Sequence, residues 1–219
     1  RDRTDVGHTV SITNVVASGV TTGLTLDNAS LLGLVTTGTV TKLSGSTSGS
    51  TNLTFSAPAS ALDYLGQGEV LTLTYTVSVD DGDGGIDTEP VIITITGTND
   101  LPTLSAFSAP VDTTNEDTVV EITLADLLAQ GNEVDVDGSV NAFVVKAVSS
   151  GSLKIGTSEA SAQPWHATTN ATVDATNKAY WTPAANANGT LNAFTAVAKD
   201  NTGAESSVAI TATVSVTPV

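Results

Sequence analysis

Apolar residues alternate with polar ones at Leu71, Leu73, Tyr75, Val77 and Val79, and again at Val91, Ile93 and Ile95. This is the period-two pattern of strands with one buried face. Between them lies Asp80-Asp-Gly-Asp-Gly-Gly85, a run of turn formers, so the segment reads as a strand, an acidic turn and a partner strand. The design recurs. Phe194-Thr-Ala-Val-Ala-Lys-Asp-Asn-Thr-Gly203 aligns with Tyr75-Thr-Val-Ser-Val-Asp-Asp-Gly-Asp-Gly84, bringing Asp200 onto Asp81 and Gly203 onto Gly84. The same offset carries Ile210, Ala212 and Val214 onto Val91, Ile93 and Ile95. Two tandem copies of one β-module are the simplest reading. Upstream the offset fails: Thr4-Asp5-Val6-Gly7 best matches Val136-Asp137-Gly138, so the second copy carries extra residues. The first copy has no counterpart of Asn115-Glu-Asp-Thr118 and the strand after it, and further modules are expected before Arg1. Leu124 to Gln130 reads either as one or two helical turns with weak capping or as a connecting segment.

Composition narrows the class. With no cysteine and no methionine in 219 residues, neither disulfides nor thiol chemistry serves this chain. Seven basic residues against 23 acidic ones give a net charge of −16, a field that repels nucleic acid and anionic lipid and gathers cations. Hydrophobic residues make up 40% and charged ones 14%, with many Thr, Ser, Val, Ala and Gly, which favours strands and turns over helix or disorder. The chain is long enough for two domains that each bury a core. No apolar run approaches the roughly 20 residues that span a bilayer, so membrane insertion is not expected. A monomer is expected.

Catalysis has little material. Only two histidines are present, His8 and His166, too few for a zinc cluster or a Ser-His-Asp arrangement, and the chain is expected not to be an enzyme. Asp81-Gly-Asp83 and Gly84-Gly-Ile-Asp87 resemble pieces of calcium loops, but the twelve-residue EF-hand pattern and its final Glu are absent. A glycine-rich hairpin accounts for them better. Trp165-His166 and Tyr180-Trp181 read either as a sugar-stacking platform, with Trp165, His166 and Trp181 as ligand-binding residues, or as core anchors.

Leu62-Asp-Tyr-Leu65, Gly68-Glu69, the strand to Val79, the Asp-Gly loop and Ile93-Thr-Ile-Thr-Gly-Thr-Asn-Asp100 resemble the VCBS repeat of very large bacterial surface proteins. Asn115-Glu-Asp-Thr118, Leu124-Ala-Asp-Leu-Leu128, Asp135-Val-Asp-Gly138, Trp181-Thr-Pro-Ala-Ala-Asn-Ala-Asn-Gly189 and the Asp200 turn resemble the bacterial cadherin-like repeats found beside them. The resemblance implies an all-β protein of two tandem Greek-key, cadherin- or immunoglobulin-like β-sandwiches, residues 1–101 and 102–219. It also implies an RTX-type adhesin exported by type I secretion, acting at the cell surface in adhesion or biofilm formation, with calcium stiffening the junctions between repeats. Its partners would be neighbouring repeats of the same chain and, in the alternative reading, surface glycans or a host-cell surface bound by segment 158–181. An accessory domain beside a secreted hydrolase is a third reading.

By that analogy the interdomain calcium ligands are Asp63, Asn99, Asp100, Asp135, Asp137 and Asp200. Asp135 and Asp137 lie two apart, so on an extended segment their side chains share a face and one ion. Tyr64-Leu65 stands where cadherins carry Arg-Glu, removing one expected ligand. Arg3 replaces the first Asp of the pair in the first copy, leaving Asp5, Asp81 and Asp83 as a weaker terminal site. Glu116, with Asn186 and Asn188, is the corresponding candidate at the other end. Pro102 and Pro110 restrict the backbone of the segment from Leu101 to Thr114, which is therefore not a loose tether.

Overall fold

The computed structural model describes residues 7–43 and 46–219. The chain divides into two compact units, Arg1–Asn99 and Asp100–Val219, so Asp100 and Leu101 group with the second. Both are built from strands packed as β-sandwiches, with two short helices.

In the first unit β1 (Thr9–Gly19) is followed by a short helix α1 (Asn28–Gly33), by β2 (Val35–Thr37), β3 (Thr41–Lys42), β4 (Gly49–Ser50) and β5 (Leu53–Phe55), and by the hairpin of β6 (Val70–Asp80) and β7 (Ile86–Thr96). One sheet has the order β1-β6-β7, and β2-β5 and β3-β4 form two-stranded sheets. The alternation read from sequence holds on β6, where Leu71, Leu73 and Tyr75 are fully buried. Their cross-strand partners on β7 are Ile95, Ile93 and Val91. Tyr75 is buried with its polar end satisfied, its hydroxyl donating to the Leu31 carbonyl at 2.9 Å. α1 starts where it does because Asp27 accepts the Ser30 amide at 2.8 Å.

The second unit contains β8 (Asp112–Asn115), β9 (Val120–Ile122), helix α2 (Leu124–Gln130), β10 (Val140–Val148), β11 (Ser152–Gly156), β12 (Gln163–Pro164), β13 (Thr172–Asp174), β14 (Lys178–Thr182), β15 (Gly189–Asp200) and β16 (Ile210–Thr217). A five-stranded sheet β13-β10-β15-β16-β8 faces a four-stranded sheet β12-β11-β14-β9, and the chain crosses between them at every step except β11 to β12 and β15 to β16. Only β8 runs parallel to its neighbour, β16. Phe143, Val145, Phe194, Val214, Ile122 and Trp181 fill the space between the sheets. On the outer face of β10 and β15 a smaller apolar cluster of Val144, Ala171 and Val197 is covered by Trp165.

The 124–130 segment is helical, and the sequence reading undervalued its cap. Thr123 and Asp126 form a reciprocal capping box, the Thr123 amide donating to the Asp126 carboxylate at 2.8 Å and the Asp126 amide to the Thr123 hydroxyl at 3.3 Å. The tight connection from β10 to β11 requires Gly151, which has φ +67° and lies so close to the Thr182 carbonyl that a side chain would collide.

Both tryptophans, Trp165 and Trp181, lie in the second unit, so intrinsic tryptophan fluorescence reports that unit alone. Trp181→Ala removes a fully buried ring and is expected to destabilise the second unit by about 3–5 kcal/mol. Denaturant unfolding followed by the remaining Trp165 emission checks this, and an unchanged midpoint would place Trp181 outside the core.

Candidate metal centre

The Asp135-x-Asp137 segment is held by an antiparallel bridge at the start of the second unit. Thr103 and Val134 exchange backbone hydrogen bonds at 2.8 and 3.1 Å. The Asn132 carboxamide oxygen accepts the Ser105 and Ala106 amides at 3.0 and 2.9 Å. Extended backbone then places alternate side chains on opposite faces, but with an inverted pattern. Val134 and Val136 are 62% and 53% exposed, whereas both carboxylates turn inward.

Asp137 Oδ2 accepts the Asp100 amide at 3.0 Å. Asp137 Oδ1 and both carboxylate oxygens of Asp135 are buried without a hydrogen-bond donor. Burial first, then the adjoining Asp137 carboxyl and the Asp200 charge, hold the Asp135 carboxyl above the ordinary carboxylate range. Such a pair of buried carboxylates is costly unless a proton or a cation neutralises it.

Asp200, 1% exposed, joins this cluster through its charge, but it is also the keystone of a turn. Its Oδ1 accepts the amides of Thr202, Gly203 and Ala204 at 2.9, 2.7 and 2.8 Å. Asp81 does the same in the first unit, accepting the amides of Asp83 and Gly85 at 2.9 and 2.7 Å. These amides hold the Asp81 carboxyl below its ordinary range. The repeated aspartate is therefore first a turn former, as the hairpin reading had it.

Two further residues were not singled out as ligands from sequence. Asn201 presents its side-chain oxygen to the Ser139 amide at 2.9 Å. A Cβ on Gly138 would lie 2.5 Å from that oxygen and 2.7 Å from Asp135 Oδ2, so these two side-chain oxygens converge over the Gly138 α-carbon. Asn201 directly follows Asp200 in the turn, which is the signal that would have found it. Glu133 also has a buried oxygen without a donor. It sits over Gly131 at the end of α2.

The other expected residues fall elsewhere. Asp63, half-buried in the turn after the 3-10 segment Ala59–Ala61, and Asn99 belong to the first unit. Asp83 is exposed in the β6–β7 turn, and Asp5 lies outside the described residues. Glu116 is committed to the end of the second unit: its Oε1 accepts the Val219 amide at 3.1 Å and its Oε2 faces the Asn188 carboxamide at 3.5 Å. Nearby, the Asp117 carboxylate accepts the Asn186 amide at 3.1 Å, and Asp117 and Asn186 both adopt positive φ.

The aromatic platform is not assembled. Trp181 is fully buried, its indole donating to the Ser150 carbonyl at 2.8 Å, because β14 alternates inward at this position. Trp165 is half-buried and donates to the Val145 carbonyl at 3.2 Å. His166 is exposed, its Nδ1 within 3.2 and 3.1 Å of the Thr168 and Thr169 hydroxyls. Trp181 is thus a core residue, while Trp165 and His166 keep part of their surface accessible.

Among the described residues, no group of three or more His, Asp or Glu side chains forms a ready-made metal cluster. What the second unit offers to a hard cation is the three donor-free oxygens of Asp135 and Asp137. Calcium takes six to eight oxygens, so these two side chains would fill only part of such a shell.

No family model matches the chain, and no curated protein matches it. Among solved structures, the fibronectin(III)-like modules of Clostridium thermocellum CbhA are 12% identical, with a TM-score of 0.27, over 95% of this chain and 80% of that one. SGBP-B of the Bacteroides ovatus mixed-linkage glucan utilization locus, solved with a mixed-linkage heptasaccharide, is 11% identical with a TM-score of 0.21, over 95% of this chain and 61% of that one.

Proposed function

We propose that this chain is a non-enzymatic, calcium-stiffened spacer from a large bacterial surface adhesin, exported by type I secretion and serving cell adhesion or biofilm formation. The observation that carries the reading is the pair Asp135 and Asp137, whose three buried oxygens have no donor beside the buried Asp200. Bound calcium supplies the positive charge that this pair lacks. Asp137 also holds the amide of Asp100, the first residue of the unit. Neutralising its carboxylate keeps Asp137 extended toward that amide and so fixes the segment that enters the second unit. Pro102, buried two residues on, restricts the same segment. In a chain of −16 net charge the cation is drawn in by the general field as well as by the pair.

Calorimetric titration with calcium and small-angle scattering test this on the wild type and on Asp135→Asn/Asp137→Asn. Saturable binding with a longer, stiffer particle is expected, and both effects are lost in the double variant. Weak, unsaturable binding with no change of shape would reduce the carboxylates to a charged surface. Calcium at about a hundred times its dissociation constant should stabilise the second unit by roughly 2.7 kcal/mol, read from tryptophan fluorescence.

In chelator the order reverses. Asp135 keeps a proton in the folded state that the unfolded chain releases, so stability falls as pH rises from the ordinary carboxylate value through the raised one. Asp135→Asn is expected to flatten that slope. At neutral pH it should stabilise the calcium-free second unit by on the order of 1 kcal/mol, the scale of one relieved like-charge contact. Equal denaturation midpoints across pH for the two proteins would remove the electrostatic argument.

A second reading, a glycan- or host-surface-binding module, draws on an open polar recess of about 490 Å³ in the second unit, lined by Lys146, Thr168, Asn170, Asn177, Lys199 and Glu205. A glycan array with the wild type, Asn170→Ala and Trp165→Ala separates the readings. Specific binding lost in Asn170→Ala would favour recognition over spacing, and an empty array leaves the spacer.

A further inference from the structure

The recess that holds Lys146, Lys199 and Glu205 lies on the outer face of the five-stranded sheet, and strand register shows how it is built. Pairing across β13, β10 and β15 puts Thr172, Val144 and Val197 in one row and Asp174, Ala142 and Lys199 in the next. These residues alternate with Phe143, Val173, Ala196 and Ala198, which fill the core, so both rows face outward. A second recess of about 470 Å³ adjoins the first. Thr172 and Lys199 line both, which makes the two one continuous groove over the sheet. Its floor is apolar, with Val144 in the first part and Ala142 in the second. Its walls are mostly hydroxyls and carboxamides, Thr168, Thr169 and Asn177 in the first part and Thr176, Asn201 and Thr202 in the second.

Charge is distributed unevenly along this groove. Lys199 and Glu205 are joined by an antiparallel backbone bridge, yet the Glu205 carboxylate pairs with Lys146 on the neighbouring strand. The other carboxylates of the groove are taken as well. Asp174 accepts the amides of Thr176 and Asn177 at 2.8 and 2.7 Å, and Asp200 is bound by its own turn. Among the described residues the half-buried Lys199 makes no ion pair. Two ammonium groups thus stand against one carboxylate in the first recess, a local excess of positive charge in a chain of net charge −16.

We propose that this groove binds an acidic oligosaccharide, with one sugar carboxylate on the Lys199 ammonium, the C–H faces of the rings on Val144 and Ala142, and the ring hydroxyls on the threonine and carboxamide walls. An apolar floor with a few polar groups that fix orientation is the usual form of a small-ligand site. The groove runs over the face of the sheet, where side chains are presented and backbone groups are not, so it does not suit an added peptide strand. The inference rests on the glycan-binding reading and names its ligand class.

The test is titration of the whole chain followed by amide chemical shifts, with three probes: a galacturonic acid tetramer, the same tetramer as its methyl ester, and a glutamate tetrapeptide. Saturable shifts are expected at Thr168–Thr172, Lys199 and Glu205, with the acid bound roughly tenfold or more tighter than the ester, the scale of one charged hydrogen bond. Lys199→Gln should bring the acid down to the level of the ester. Glu205→Gln, which releases Lys146, should tighten the acid severalfold and leave the ester unchanged. Both side chains are partly exposed, so the denaturation midpoint of each variant, read from tryptophan fluorescence, should match that of the wild type. Equal binding of acid and ester, or of the acid to wild type and Lys199→Gln, overturns the acidic ligand and leaves the glycan reading standing. Binding of neither sugar overturns the proposal and removes this groove from the glycan reading. Equally tight binding of the glutamate peptide overturns it too, because the site then reads charge without the sugar.

Discussion

One local interaction organises each unit, the aspartate that closes its last hairpin. Asp81 and Asp200 each gather the amides of the following turn onto one carboxylate oxygen. In both, the aspartate's own amide donates 3.0 Å across the turn, to Gly85 and to Ala204. The turn sets which residues of the hairpin lie opposite one another, and a slip of one residue would send every inward side chain to solvent. Tyr75 and Phe194, fully buried at equivalent positions, are where that register is used. The core of each unit is thus conditional on a polar contact at its rim.

The same economy shapes how the acidic chain holds its charge. Most carboxylates that the structure engages are held by backbone amides, as in Asp27, Asp81, Asp174 and Asp200. The lysine pairs Lys146 with Glu205 and Lys178 with Glu121 are solvent-exposed, where such pairs contribute little. Asp135 and Asp137 stand apart because three of their four carboxylate oxygens are buried without a donor, the Asp100 amide reaching only Asp137 Oδ2.

Much of this was written in local patterns. Alternation on β6 and β7 and the repeat of the hairpin are short-range features, and they gave the strands, the buried aromatics and the two-module organisation directly. The pairing of Asp135 with Asp137 was legible for the same reason, since it needs only the two-residue period. What escaped depends on contacts far apart in sequence. Asn201 meets Ser139, and its side-chain oxygen converges with that of Asp135 over Gly138. The capping of α2 was undervalued because a Thr-x-x-Asp box is weaker in pattern than in geometry.

The strand arrangement of the second unit bears on how a repetitive chain is built. A β-sandwich buries its hairpin only if something covers the outer strand, and the second unit does this with a segment that precedes its other strands and lies parallel to its last one. A parallel partner cannot be reached through a tight turn. The covering strand must therefore come from a distance, along the length of the unit or from another polypeptide. In the second unit it traverses the whole sandwich, so the first and last segments of the unit are hydrogen-bonded to one another, from the Glu116 amide to Thr217 and from Glu116 Oε1 to the Val219 amide. Tension applied at the end of such a unit loads these bonds in shear across a parallel ladder rather than peeling a hairpin open.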